Sequence, residues 1–373
     1  MADRLPKELI AEILTRLPVK ALLKFRCVCK SWGSLISSPK FITSKLNQTI
    51  HLNKINNTDT HIIGRYINAN EEGGGEEGRY SVIIYDGSCF IELENPILYC
   101  ASQLHIFGSC NGLVCLSDNI FDYVFKKVNN LILWNPSIRK SMRLPMSSIG
   151  IDSHGLREVV DGYGFDSKTN DYKVVRIAYI NDFPDAEVEL YSLNRGCWRR
   201  IYVVGPHHRF TFAPLPSQVF VNGIVHWVGG DLDADYDISI LTFDMSSEVF
   251  CKMMPPAAPP HGWMPTRLAV SVLGESLCLG HFDSLVSKVS IWVMKEYGVV
   301  QSWSKLFAFD VDEGFGRFLG FRRTGDLRFF KRNDRMFSIN LESQQAKDLG
   351  IWLSGNPEAF YAVPHVAESL VLL

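Results

Sequence analysis

The sequence predicts two unequal parts, a small all-α module over residues 1–46 and a large all-β domain over residues 47–373, the latter a β-propeller of about six blades. Three observations predict this. Apolar residues recur at helical spacing only between Leu5 and Leu46. From His51 onward they come in runs of four to eight, rich in Val, Ile, Tyr, Phe and Trp and separated by turn residues, which is the pattern of strands. Finally, one strand–turn–strand unit repeats about every 50 residues.

In the first segment Leu9, Ile10, Ile13, Leu14 and Leu17 fall at the i, i+1, i+4, i+5, i+8 spacing of one wide helical stripe. Pro6 suits the first turn, where the missing N–H has no intrahelical acceptor. Pro18 ends this helix and begins a second, whose stripe is Leu22, Leu23, Phe25, Val28, Trp32, Leu35 and Ile36, with Lys20, Lys24, Arg26 and Lys30 between. Ser38-Pro39, an N-cap residue before a proline, starts a third helix through Phe41, Ile42 and Leu46. Three short helices bury too little surface to be stable unaided. Their apolar surplus implies a partner.

The repeating β unit starts at Leu131, Val188, Ile240, Val289 and Met336, at intervals of 57, 52, 49 and 47 residues. Such periods mark kelch-like propeller blades, each of which buries its faces against its neighbours. An inner hairpin precedes each unit. SCNGLVCL at Asn111-Gly112 and FVNGIVHW at Asn222-Gly223 carry the dipeptide that type I′ turns favour, and Gly162, Leu268 and Phe318 open the corresponding segments of the other repeats. This gives five full blades between about 105 and 350. Strands near His51–Asn53 and Tyr80–Ile91, closed by the terminal AESLVLL, make a sixth; two stacked sheets are the rival architecture.

Composition bounds the partners. With 46% apolar and 12% aromatic residues and a net charge of −2, the chain gives no overall reason to expect nucleic acid or an anionic membrane. Residues 1–48 hold nine Lys or Arg against three Asp or Glu, net +6, leaving −8 for the remainder (29 against 37). A basic helical module attracts an acidic partner or is merely solvated; charge alone leaves both open. No charged leader precedes an apolar run at the start, and no stretch approaches the roughly 20 apolar residues of a membrane span. Nine cysteines without a C-x-x-C pattern suit reduced thiols in the cytoplasm or nucleus.

The order LPxELIxxILxRLPVKxLxxFRxVCKSW, with Phe41 nine positions on, resembles the F-box. That resemblance implies docking to the Skp-family adaptor of a cullin-RING (SCF) ubiquitin ligase and, through it, to cullin and RING protein, while the rest of the chain selects a protein for ubiquitination. It also implies an adaptor-facing surface centred on Leu5, Pro6, Leu9, Ile10, Leu14, Leu17, Pro18 and Val19, extended by Ile13, Leu22, Phe25, Val28, Cys29, Trp32 and Leu35. For Ile13, Phe25 and Trp32, packing within the module is an equal reading. SCNGLVCL, LWNPSIRK, YGFDSKTNDYKVVRI, VELYSLNRGCWRRI and VNGIVHW in turn resemble the F-box-associated domain of plant F-box/kelch proteins, although the kelch Gly-Gly doublet is missing from most repeats. Within that family a regulator of immune-receptor turnover, an S-locus-like determinant recognising ribonucleases and a member with some other role all stay open, as does a scaffold that does not ubiquitinate.

Signs of catalysis are weak. The glycine-rich GGGEEG at Gly73–Gly78 carries Glu76 and Glu77, which repel phosphate, and no helix follows. His207-His208, His226, His261 and His281 lack zinc spacing, and His281, Asp283 and Ser284 lack a nucleophile elbow. No cofactor or metal is expected, and the chain reads as a non-catalytic receptor, with a propeller enzyme as the distant alternative. Substrate contacts are expected from connections on one face: 147–161, 181–186, 205–216 with His207, His208 and Arg209, 230–237 with Asp231, Asp233 and Asp235, and 255–265.

Overall fold

The computed structural model describes residues 5–56, 61–67, 79–85, 90–93, 105–117, 131–149, 156–180, 186–202, 210–212, 218–231, 237–257, 268–283, 285–310, 315–322, 324–331, 335–352, 362–363 and 367–372. Helices come first: α1 (Lys7–Thr15), α2 (Val19–Phe25), α3 (Lys30–Ile36) and α4 (Pro39–Ile55). Strands follow: β1 (His61–Ile67), β2 (Arg79–Tyr85), β3 (Phe90–Leu93), β4 (His105–Cys110), β5 (Leu113–Ser117), β6 (Leu131–Asn135), β7 (Lys140–Arg143), β8 (Leu156–Asp166), β9 (Asp171–Ile180), β10 (Glu187–Ser192) and β11 (Cys197–Arg200). The series continues with β12 (Phe210–Phe212), β13 (Gln218–Val221), β14 (Ile224–Asp231), β15 (Asp237–Asp244), β16 (Phe250–Met253), β17 (Leu268–Leu273), β18 (Ser276–Asp283), β19 (Lys288–Met294) and β20 (Trp303–Asp310). It ends with β21 (Phe315–Phe321), β22 (Leu327–Lys331), β23 (Arg335–Ile339), β24 (Ala346–Trp352) and β25 (Ala362–Val363).

Two helical expectations are corrected. The second helix is two, because the chain breaks after Phe25 and Cys29 takes an extended conformation, φ −158° and ψ 161°. In one continuous helix positions 25 and 32 would lie about 10 Å apart along the axis. The break lets the rings of Phe25 and Trp32 meet edge to face at 5.6 Å between centroids. The last helix starts as expected, with the Ser38 hydroxyl accepting from the Phe41 N–H at 3.4 Å. It then runs on to Ile55, so His51–Asn53 is helix and not strand. Buried Phe41, Lys45 and Thr49 mark one face over three turns, and the helical ladder continues to the bond from Asn56 N to Leu52 O at 2.9 Å.

Five antiparallel blades of contiguous strands stand where the repeats were read: β4–β7, β8–β11, β12–β16, β17–β20 and β21–β24. Every outer hairpin falls on its predicted unit. In the third blade β12 and β13 share one edge of β14, pairing with Gly229–Asp231 and Ile224–Trp227 respectively. The expected count of about six is corrected to five such blades; a further sheet in the order β25-β1-β2-β3 is described by its backbone alone. The strand from the chain's far end is β25, paired through Ala362 and Val363 to Ile63 and Ile62. The segment 367–372, expected as that strand, is not one. Asn135 occupies its carbonyls and the helical module takes Leu370, as described below.

Each blade buries its faces against the next. Leu113, Leu133, Tyr163 and Val174 join the first two blades, and Val175, Ile177, Trp227 and Phe243 the second and third. Val228, Ile240, Val270 and Leu279 join the third and fourth, and Ile291, Phe318, Phe321 and Phe329 the fourth and fifth. Gly162 permits one of these contacts, since a Cβ there would stand 2.2 Å from the Trp227 ring. Indole N–H groups tie neighbours at two equivalent places: Trp198 donates to Pro145 O at 2.7 Å and Trp303 to Met254 O at 3.2 Å. These tryptophans bond one blade to the connection leaving the previous one.

Charge also crosses between the second and third blades. Lys173 Nζ lies 2.8 Å from Asp166, 2.8 Å from Met245 O and 3.0 Å from Glu248, which is also bonded by Arg199. Burial works against the charged form of Asp166, but hydrogen bonds from Lys173, Ser246 and Thr169 outweigh it and hold the carboxyl well below its ordinary range. Glu248 is lowered in the same way, its burial overcome by Arg199 and Lys173. His226 is fully buried with Nε2 2.7 Å from the Tyr297 hydroxyl, and burial lowers its pKa from 6.5 to about 4.

Stability should therefore fall in two steps on acidification. Between pH 6.5 and about 4 the unfolded chain binds a proton at His226 that the folded chain does not, a loss of up to about 3 kcal/mol. Below the ordinary carboxylate values the depressed Asp166 and Glu248 add a second loss, because their stabilisation is complete only above those values. Denaturation midpoints measured from pH 7 to 3 check this. The His226→Asn variant should lose the upper step and keep the lower; an upper step unaffected by the substitution would overturn the assignment.

Candidate functional site

The helical module builds its own core from one side of α1. Leu14, Val19, Leu22, Ile36 and Phe41 are buried together, with Ile10, Leu17, Phe25, Trp32 and Leu35 packed partly against them. Helical geometry leaves the other side outside. Leu5, Leu9 and Ile13, at successive four-residue steps, are 56%, 45% and 52% exposed, and Val28 in the α2–α3 link is 62% exposed. Pro6, Pro18 and Cys29 are exposed as well, and the Ser31 hydroxyl 3.1 Å from the Cys29 sulfur lowers that thiol's pKa. The predicted adaptor-facing set is thereby divided. Burial withdraws Leu14, Val19 and Leu22 from any surface, and leaves Leu5, Pro6, Leu9, Ile13, Pro18, Val28 and Cys29 fully open to a partner.

A segment far along the chain completes this core, which sequence reasoning missed. Leu370 is 0% exposed and sits among Leu14, Val19, Leu22, Ile36 and Phe41, with Ile138 of the β6–β7 turn beside them. The carboxylate of Glu368 accepts from the Val19 N–H at 3.3 Å, the first amide of α2, whose own N-cap is Pro18 without a side-chain bond. The buried Asn135 amide donates to Ser369 O, Ser369 Oγ and Val371 O at 3.1, 2.9 and 2.8 Å. Ser369 N donates in turn to Ser137 Oγ at 3.2 Å. Burial lowers the pKa of Lys45, and Glu368 partly offsets this. The apolar ESLVLL was the visible signal, but nothing local in it names a helical partner.

Antiparallel strands place their connections alternately on two sides of the blades. Among the described residues one side carries mostly tight turns: Asn111-Gly112 and Asn222-Gly223 with φ of 51° and 80°, and 55° and 80°, as type I′ requires, together with those at 167–170 and 274–275 and the outer-hairpin turns beginning at Pro136, Leu193, Met245 and Asn340, besides the longer β19–β20 link from Lys295 to Ser302. The helical module sits on this side. Lys54 of α4 pairs with Glu275, and Ser369 lies so near Gly112 that a Cβ there would be 2.6 Å from Ser369 Cβ.

All five predicted contact segments join strand ends on the other side. Beside these segments, and outside their predicted bounds, Met146, Tyr202 at 96% and Met254 are exposed, joined on that side by Leu285 and Val286 of the β18–β19 turn. Asp231 pairs through its backbone with Phe210 and Asp237. His207, His208, Arg209, Asp233 and Asp235 lie outside the described residues, as does Gly73–Gly78. Among the described residues no group of three or more His, Cys, Asp or Glu is placed to hold a metal ion, and no helix is long and apolar enough to cross a membrane.

Comparison with known proteins agrees with this division. A sequence model of the F-box domain matches residues 3–44, and one of the F-box associated beta propeller domain matches residues 82–362. F-box protein CPR1 of Arabidopsis thaliana is 29% identical across 99% of this chain and 89% of its own length. The F-box/kelch-repeat protein At3g23880 of the same plant is 29% identical across 82% of this chain and 79% of its own. With a small F-box carried on the short-turn side of an all-β propeller, the chain belongs to the F-box proteins that bear an F-box associated propeller domain.

Proposed function

We propose that this chain is the substrate receptor of an SCF-type ubiquitin ligase. The F-box holds a Skp-family adaptor, and through it cullin and RING protein, while the side carrying the longer connections takes a protein target for ubiquitination and degradation. The observation that carries the reading is the exposed row of Leu5, Leu9 and Ile13 on a module whose core is already complete without them. Burying each such side chain against a partner is worth about 1.5–3 kcal/mol, a gain that water does not provide. The net charge of +6 over residues 1–48 would speed association with an acidic surface.

The opposite side supports the second half of the reading. The longest connections between strands lead from that side, and Met146, Tyr202, Met254, Leu285 and Val286 give it apolar anchors such as protein partners use. The receptor performs no covalent step in this scheme, because tethering a target near the transferring enzyme supplies proximity. Seven described cysteines are free, which suits a reducing cytoplasmic or nuclear setting.

Two outcomes are expected. Leu14→Ala should lower unfolding free energy by about 2–5 kcal/mol in urea titration, whereas Leu9→Ala should stay within about 0.5 kcal/mol. Equal losses would mean that α1 is oriented otherwise. Leu9→Asp with Ile13→Asp should weaken capture by a purified Skp-family adaptor at least about tenfold, roughly 1.4 kcal/mol, with the thermal midpoint unchanged. Undiminished capture would refute the receptor reading.

A further inference from the structure

We infer that the segment Ala367–Leu372 is a buckle that fastens the F-box to the first blade, so that the two unfold and move as one body. In the receptor reading, on which this consequence alone rests, the buckle sets the direction in which a captured target faces the ligase.

Three independent contacts converge on six residues. Leu370 enters the helical core fully buried, so the F-box core is not closed by the F-box itself. Glu368, whose side lies toward solvent, accepts from the first amide of α2, a bond spanning 349 positions of sequence. Between them Ser369 is held by Asn135 and Ser137 at the β6–β7 turn, and Val371 and Leu372 pack on the core between the first two blades. Adjacent residues therefore alternate their attachments, Glu368 and Leu370 to the helices, Ser369 and Val371 to the sheet. A segment anchored alternately to two bodies cannot follow one without the other.

The fit is also close on the blade side. Gly112 has φ +80°, and a Cβ there would lie 2.5 Å from Ala367 O and 2.5 Å from Ser369 Oγ. Asn135 spends its whole amide group on this segment while its carbonyl oxygen accepts from Ser137 N at 2.9 Å, so the β6–β7 turn is shaped for the segment it receives. Among the described residues the other ties between helices and blades are Ile138, which packs on the helical core from the turn that holds Ser369, and the pair Lys54 with Glu275, solvent-exposed and of the kind that contributes little.

Hydrogen exchange on the full chain tests the proposal without any adaptor or target. Glu368→Ala, at an exposed position, should raise exchange of the α2 amides at least about tenfold. Leu370→Ala should raise it across α1–α4 and split thermal unfolding into two transitions. Neither should change exchange in β17–β24. Exchange in α1–α4 that stays unchanged in both variants, or that rises equally in every blade, would overturn the buckle. If the exchange results hold but no adaptor binds, the receptor reading fails and the buckle stands.

Discussion

Face-to-face burial between neighbouring sheets is the constraint on which the rest depends. A four-stranded antiparallel sheet has two faces, and in strands such as β5 and β6 every residue is buried, which leaves no side of the blade for water. Such a sheet is stable only between two others. Tyr163, Trp227, Phe243 and Phe321 fill these inter-blade layers completely enough that glycine at 162 is needed to admit the Trp227 ring. The charged groups obey the same constraint. Lys173 can be buried only because Asp166 on its own blade and Glu248 on the next are both within bonding distance, which ties the stability of that charge to the packing of two blades.

The F-box faces the opposite problem, since its helices are too short to bury a core among themselves. Leu370 and Ile138 supply what it lacks, and both come from the propeller side. The module thereby gives up one face of α1 to folding and keeps the other. Angular position decides which residues go where: at 100° per residue, Leu9 and Ile13 share one side, while Ile10, Leu14 and Leu17 turn toward the core. Core packing and exposed apolar surface are then borne by different residues of a nine-residue helix.

Much of this was legible because it is local or periodic. The five outer hairpins could be read from a spacing near 50 residues, and the Asn-Gly turns from the chemistry of positive φ. What escaped was long-range or depended on a choice between local minima. The stripe Leu9, Ile10, Ile13, Leu14, Leu17 is wide enough to suit either direction, so sequence could not say that Leu14 would be withdrawn. The break between Phe25 and Lys30 accompanies the meeting of the Phe25 and Trp32 rings, a contact that helical spacing does not announce. His51–Asn53 reads equally as strand or helix until Phe41, Lys45 and Thr49 are seen sharing a buried face. For ESLVLL, the closing run of apolar residues looked like a strand; its partners Asn135, Val19 and Leu14 are more than 230 positions away.

The distribution of turns between the two sides follows from the same attachments. The side that receives the F-box must approach it closely, and at Gly112 even a Cβ would collide with the segment 367–372. A longer connection at Asn111-Gly112 or Pro136–Arg139 would displace Ser369 and with it Leu370, opening the helical core. A surface connection held by no such attachment can differ in length and charge at little cost to a fold. Short turns are thus enforced where the chain is joined to its own F-box, and freedom is left where a target would be chosen.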